Sequence, residues 1–122
     1  MQTISSGDWK IMELLWASPR TLMELVYLLQ EQEGWSKSTV TTMVRRMMEK
    51  ELIRYETDGR TKTFFPTVTR DEVAAGETTS FLRRVYNGSI GMLVNAMADR
   101  NSLTKEDISE LYAILEEADK KL

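Results

Sequence analysis

Apolar residues recur at helical spacing through the first fifty positions. Trp9, Met12, Leu15 and Trp16 share one face of a first helix, and Leu22, Leu25, Leu28 and Leu29 form the stripe of a second. Val40, Met43, Val44 and Met47 fall at i, i+3, i+4 and i+7 of a third. The starts are punctuated. Ser5-Ser6-Gly7-Asp8 and Thr21-Leu22-Met23-Glu24 read as capping boxes, in which a hydroxyl and a carboxylate three residues on satisfy free amides reciprocally, and Ser36 caps the third helix. Ser18-Pro19 and Gly34 are stops. The period then changes to two: Ile53 and Tyr55 alternate with Arg54 and Glu56, as in a half-buried strand. Asp58-Gly59 signals a type I′ hairpin turn, whose central residues both need positive φ. That turn sets Thr57 opposite Arg60 and Ile53 opposite Phe64, with Pro66 ending the second strand.

Three short helices followed by a two-stranded ribbon describe a winged helix-turn-helix. The rest reads as helical. Thr69-Arg70-Asp71-Glu72 opens a helix with Val73, Phe81, Leu82 and Val85 on its apolar side, and Asn87-Gly88 breaks it. Ser89–Met97, containing Leu93, is a short apolar helix, and Thr104 starts a last one with Ile108, Leu111, Leu115 and Ala118 in register. The expected fold is mainly α with a small β-hairpin. An N-terminal winged-helix domain is expected over 1–68 and a C-terminal helical domain over 69–122. No internal repeat appears.

Composition narrows the function. The 122 residues are 42% hydrophobic and 29% charged, a balance suited to a folded chain. No cysteine or histidine is present, which removes thiol chemistry and the commonest metal ligand and general base. No catalytic residue, cofactor or metal site is therefore expected. No apolar run is long enough to cross a bilayer, and MQTISSGDWK lacks the layout of a signal peptide, so the cytoplasm is the expected location. Net charge is −3, but it is unevenly spread. Ser36–Arg70 holds eight Lys/Arg against four acids, and Asp71–Leu122 holds six against ten. A basic patch beside an acidic half fits a DNA-binding module joined to an association module.

The third helix carries the chemistry. Opposite its apolar stripe lie Ser38, Thr42, Arg45 and Glu49, flanked by Lys37, Thr41 and Arg46. The first turns of such a helix meet base edges in the major groove. Arginine bridges guanine bidentately, and threonine offers a hydroxyl and a methyl suited to thymine. The bland alternative is a solvated face. Against it, Thr39, Thr41 and Thr42 are poor helix formers, each costing some tenths of a kcal/mol relative to alanine. The candidate DNA-binding set is Ser36, Lys37, Ser38, Thr39, Thr41, Thr42, Arg45 and Arg46, with Arg60 and Lys62 at the hairpin tip. A basic hairpin tip alone is common; its weight comes from following the candidate recognition helix directly. Methionines at helical spacing, including Met43, Met47 and Met48, read as core filler rather than metal ligands. Trp9 and Trp16 read as core, and Trp35 as a staple at a helix entry.

Laid out this way, the chain resembles the penicillinase-repressor (BlaI/MecI) family over essentially its whole length. The resemblance rests on Ile4–Met12 with Trp16, Trp35–Met47, Gly59-Arg60 through Phe65-Pro66, Phe81–Gly88 and Leu103–Leu111. It implies a homodimeric repressor whose winged helices bind an inverted repeat with TACA/TGTA-like half-sites on double-stranded DNA. It also implies a dimer interface in the C-terminal helices, here Val73, Phe81, Val85, Tyr86, Leu93, Ile108, Leu111 and Leu115. A further implied partner is a membrane sensor-transducer with a metalloprotease domain, which triggers cleavage after an asparagine matching Asn95-Ala96. The family usually has phenylalanine at the second position, so Ala96 is a departure, and the plain reading of Asn95 is a polar position on an amphipathic helix. Ser38 replaces a common lysine and Thr41 an often basic residue, so base preference is expected to differ. The copper-responsive branch uses a cysteine-rich tail, and this chain has no cysteine.

Two other classes compete. A winged helix can bind protein, which would make the threonine face a docking surface. An enzyme is remote: Glu116-Glu117 sits on a helix expected to be solvated, without convergent partners.

Overall fold

The computed structural model describes residues 4–122; residues 1–3, which entered only the leader reading, lie outside the described residues. The chain forms α1 (Ser6–Ala17), β1 (Arg20–Thr21), α2 (Leu22–Glu33), α3 (Lys37–Glu49), β2 (Ile53–Asp58), β3 (Thr61–Pro66), α4 (Arg70–Tyr86), α5 (Ile90–Asp99) and α6 (Lys105–Lys120). It divides into two compact units, Met1–Glu77 and Thr78–Leu122.

The capping boxes of the first two helices act as read, whereas at Thr69 only one of the two bonds forms among the described residues, the Glu72 amide donating to the threonine hydroxyl. Ser5 accepts from the Asp8 amide at 3.0 Å, and the Asp8 carboxylate accepts from the Ser5 amide at 3.2 Å. Thr21 and Glu24 do the same at the start of α2. The Thr21 amide, and then its hydroxyl, hold the Glu24 carboxyl below the ordinary carboxylate range. Gly34 ends α2 with φ +71°, its amide donating to the Gln30 carbonyl at 3.0 Å.

The first unit packs α1, α2 and α3 around Ile11, Met12, Leu15, Leu25, Leu29, Val40 and Met47, all essentially without solvent exposure. Leu52, Ile53, Phe64 and Val73 close this core. Trp9, Trp16, Trp35, Met43 and Met48 pack partly buried against it, as expected of filler and staples. The Trp16 indole donates to the Val68 carbonyl at 2.9 Å.

Four features differ from the sequence reading. The ribbon gains a third strand: β1 pairs antiparallel with β3, in the order β1-β3-β2. The hairpin register is also different. Asp58 pairs Thr61, Thr57 pairs Lys62, Tyr55 pairs Phe64 and Ile53 pairs Pro66. Only Gly59 takes positive φ, +65°, so the two-residue loop is Gly59-Arg60, in the manner of a type II′ turn. Relative to expectation the partners move by two residues, an even shift that leaves every side chain on its predicted face. Third, only Ile53 of β2 is buried, so that strand is more exposed than expected, while β3 keeps Phe64 in the core and Thr63, Phe65 and Pro66 half-buried. Finally, Val73, expected in the association surface, is fully buried in the first unit's core. The division between units accordingly falls inside α4, after Glu77, and not after residue 68.

A short turn joins α3 to β2. The Leu52 amide donates to Met47 O at 3.0 Å and the Glu51 amide to Met48 O at 2.9 Å, the paired bonds of a Schellman motif. Leu52 and Met47, the hydrophobic pair of that motif, are both buried. Its left-handed position is filled by Glu51, at φ +62°, where glycine is usual. A non-glycine residue there costs about 1–2 kcal/mol, while glycine adds about 0.4–1 kcal/mol of unfolded-state entropy. Glu51→Gly is therefore expected to raise unfolding stability by about 0.5–1 kcal/mol in urea titration. Unchanged or lower stability would show that the turn is unstrained.

The second unit is different in kind. No residue of 78–122 is buried. Phe81, Val85, Ile90, Ile108, Ile114 and Leu115 are exposed, and Tyr86, Leu93 and Leu111 only partly covered. A groove of about 390 Å³ between α5 and α6 is lined mainly by Leu93, Val94, Met97, Leu103, Leu111 and Ile114.

Candidate nucleic-acid interface

Val40, Val44 and Met47 turn inward and fix α3 against the core, which leaves the opposite face open. Ser36, Lys37, Ser38, Thr39, Thr41, Arg45 and Arg46 are all exposed, and Thr42 is half-buried at the edge of the face. The predicted set thus shares one surface along the first three turns. Arg60 is exposed at the hairpin tip and Lys62 on β3, its ammonium 4.5 Å from the centre of the Tyr55 ring.

The charges are distributed unequally. Elsewhere in the first unit Arg20 donates to the Leu14 carbonyl and four cations meet carboxylates: Lys10 with Glu33 at 2.6 Å, Lys50 with Asp8 at 2.9 Å, Arg54 with Glu56 at 3.1 Å and Arg70 with Glu13 at 3.2 Å. On the α3 face the one such contact among the described residues is Arg45 with Glu49, loose at 3.9 Å. Lys37, Arg46 and Arg60 make no ion pair among the described residues. With Lys62, which likewise makes no ion pair among the described residues, four such cations form a surface suited to an anionic partner.

The hydroxyls are ordered by one another. Ser36, the N-cap, accepts from the Thr39 amide at 3.2 Å and lies 3.2 Å from the Ser38 hydroxyl and 3.0 Å from that of Thr39. A hydroxyl has one proton and two acceptor sites. With one site on the amide, Ser36 accepts from one neighbouring hydroxyl and donates to the other. Either Ser38 or Thr39 therefore keeps a hydroxyl proton for an outside acceptor such as a phosphate or a base edge. Thr41 differs: its hydroxyl donates to the Lys37 carbonyl at 2.8 Å.

Sequence reasoning missed one part of this surface. Thr21, Leu22 and Met23, at the start of α2, line a groove of about 440 Å³ with Arg60, Thr61, Lys62 and Phe64. The groove exists because β1 pairs with β3, and a two-residue strand leaves no periodic trace. Asn95 is exposed and Ala96 half-buried inside α5, so the bond between them is helical. Among the described residues, no cluster of three or more potential His/Cys/Asp/Glu metal ligands occurs, and no helix is long and apolar enough to cross a membrane.

Comparison with known proteins agrees with this architecture. The penicillinase repressor from Bacillus licheniformis is 30% identical over 93% of this chain and 90% of its own length. The methicillin resistance regulatory protein MecI from Staphylococcus aureus (strain N315) is 28% identical over 92% of each chain. The solution structure of the DNA-binding domain of the repressor BlaI shares the fold with a TM-score of 0.53 and 24% identity, over 59% of this chain and 93% of that one. The family model described as Penicillinase repressor matches residues 4–117. The chain belongs to the penicillinase repressor family.

Proposed function

We propose that the protein is a dimeric, sequence-specific DNA-binding transcriptional repressor of the cytoplasm that grips a palindromic operator and lets go on an inducing signal. The observation that carries this reading is one surface: the exposed hydroxyls of α3 with Lys37 and Arg46, and beside them Arg60 and Lys62 of the ribbon, none of these four cations ion-paired among the described residues. The names of the relatives, as penicillinase and methicillin-resistance regulators, support the same reading and put resistance genes first among those to test. On this reading the protein is not an enzyme.

One winged helix offers few phosphate contacts and binds weakly. Joining two makes the second contact intramolecular and raises avidity about 10²–10⁴-fold. The uncovered apolar side chains of the second unit supply the surface for that joining. Proteolysis in this unit by a membrane sensor-transducer metalloprotease is the release route we favour. The helical Asn95-Ala96 bond would first need α5 to open locally, since a protease takes extended chain.

Mobility shift on a palindromic duplex with TACA/TGTA half-sites tests the reading. Arg46→Ala, removing a phosphate-type cation, should weaken binding to all sequences and lower the salt slope by about one. Arg45→Ala should instead relax base preference, at a loss of about 1–3 kcal/mol on the preferred site. If both variants bind as the parent does, the face serves a protein partner and not DNA.

A further inference from the structure

We infer that Thr41 reads the 5-methyl group of a pyrimidine, thymine in ordinary DNA, through its own methyl and not through its hydroxyl. This rests on the DNA-binding reading of α3. Thr41 is exposed and occupies the middle of an i, i+4 row with Lys37 and Arg45, the two cations one turn to either side. Those cations are suited to phosphate or guanine, and the residue between them faces whatever base edge lies between their targets. The Thr41 hydroxyl is turned back on the helix, donating to the Lys37 carbonyl at 2.8 Å. Its single proton is therefore occupied, and the hydroxyl cannot donate to a base acceptor without breaking that bond. What remains for the partner is the γ-methyl, together with hydroxyl lone pairs that accept only from an adenine or cytosine amino group.

In the major groove only one base of ordinary DNA presents an apolar group, the thymine C5-methyl. Methyl against methyl excludes water from both, with no directional demand. One of Ser38 and Thr39 keeps its hydroxyl proton, so that pair, unlike Thr41, can still donate to an outside acceptor. The row therefore alternates charge, methyl and charge. The specificity it confers is for a C5-methylated pyrimidine, which 5-methylcytosine would share.

Deoxyuridine scanning tests this directly, because deoxyuridine removes the methyl and keeps every hydrogen-bonding group of thymine. Each thymine of a bound palindromic duplex is replaced in turn, and affinities are measured for the parent, Thr41→Ser and Thr41→Val, with thermal melting to verify folding. In the parent, one thymine per half-site should respond by about fourfold, the effect of about 0.8 kcal/mol for one methyl-sized group. Thr41→Val should retain that response, and Thr41→Ser, which keeps the hydroxyl, should lose it. The reverse pattern, response kept by Ser and lost by Val, overturns the inference and makes the hydroxyl the reading group. A parent that binds specifically but has no deoxyuridine-sensitive position also overturns it, while leaving the DNA-binding reading intact. Absence of any specific duplex binding overturns both.

Discussion

Replacing Leu111 and Leu115 together by aspartate is expected to leave the protein monomeric in light scattering and to weaken its hold on a palindromic duplex by 10²-fold or more. The expectation follows from the state of the second unit. Helices in proteins owe most of their stability to tertiary packing of an amphipathic face rather than to propensity. Here α5 and α6 have no buried side chain, and Ile108, Ile114 and Leu115 on α6 are exposed. Such surface on a stable protein has to be covered, and a second copy of the unit is the cover we propose. The first unit has its own core, so binding of the variant to a single half-site should change little. That contrast is the decisive measurement. A double variant that stays dimeric, or a monomer as tight on the palindrome as the parent, would remove the avidity mechanism.

Asp8→Ala is the second large effect. Asp8 is the one buried charged residue among those described. Its carboxylate accepts from the Ser5 amide at 3.2 Å and from the Lys50 ammonium at 2.9 Å. Lys50 is the C-cap of α3, so one side chain ties the start of α1 to the end of α3. Alanine removes half of a capping box, worth about 1 kcal/mol. It also takes the carboxylate away from an ammonium whose side chain is only 32% exposed. Breaking a fully buried pair costs about 3–5 kcal/mol, and the partial exposure of Lys50 lowers that. The expected loss is about 2–4 kcal/mol in urea unfolding, with Asp8→Asn between alanine and parent because an amide oxygen can still accept from Ser5. A loss below about 0.5 kcal/mol would show that the pair contributes little.

Helix starts were legible because capping is local: Ser5 with Asp8, Thr21 with Glu24 and Thr104 with Asp107 each act within four residues. The exposed face of α3 was legible for a compositional reason, namely hydroxyls where a solvated helix would carry glutamates. The wing's register was not, since Asp58-Gly59 can serve a turn with either residue first, and here Asp58 stays in the strand. β1 was invisible because two residues have no period and the strand exists only through β3. Val73 sat on an apolar stripe with Phe81 and Val85, but a stripe does not say which of two cores receives each side chain. The hydroxyl connections of Ser36, Ser38, Thr39 and Thr41 depend on rotamers that no spacing encodes.

The cations Lys37, Arg46 and Arg60, which make no ion pair among the described residues, also have a kinetic side. In a chain of net charge −3 they make a local attractive field for an anionic duplex, on the DNA-binding reading proposed above. Collisions are thus sorted before any base is touched. Productive encounters should slow steeply as salt shortens the range of that field, while departure rates respond far less.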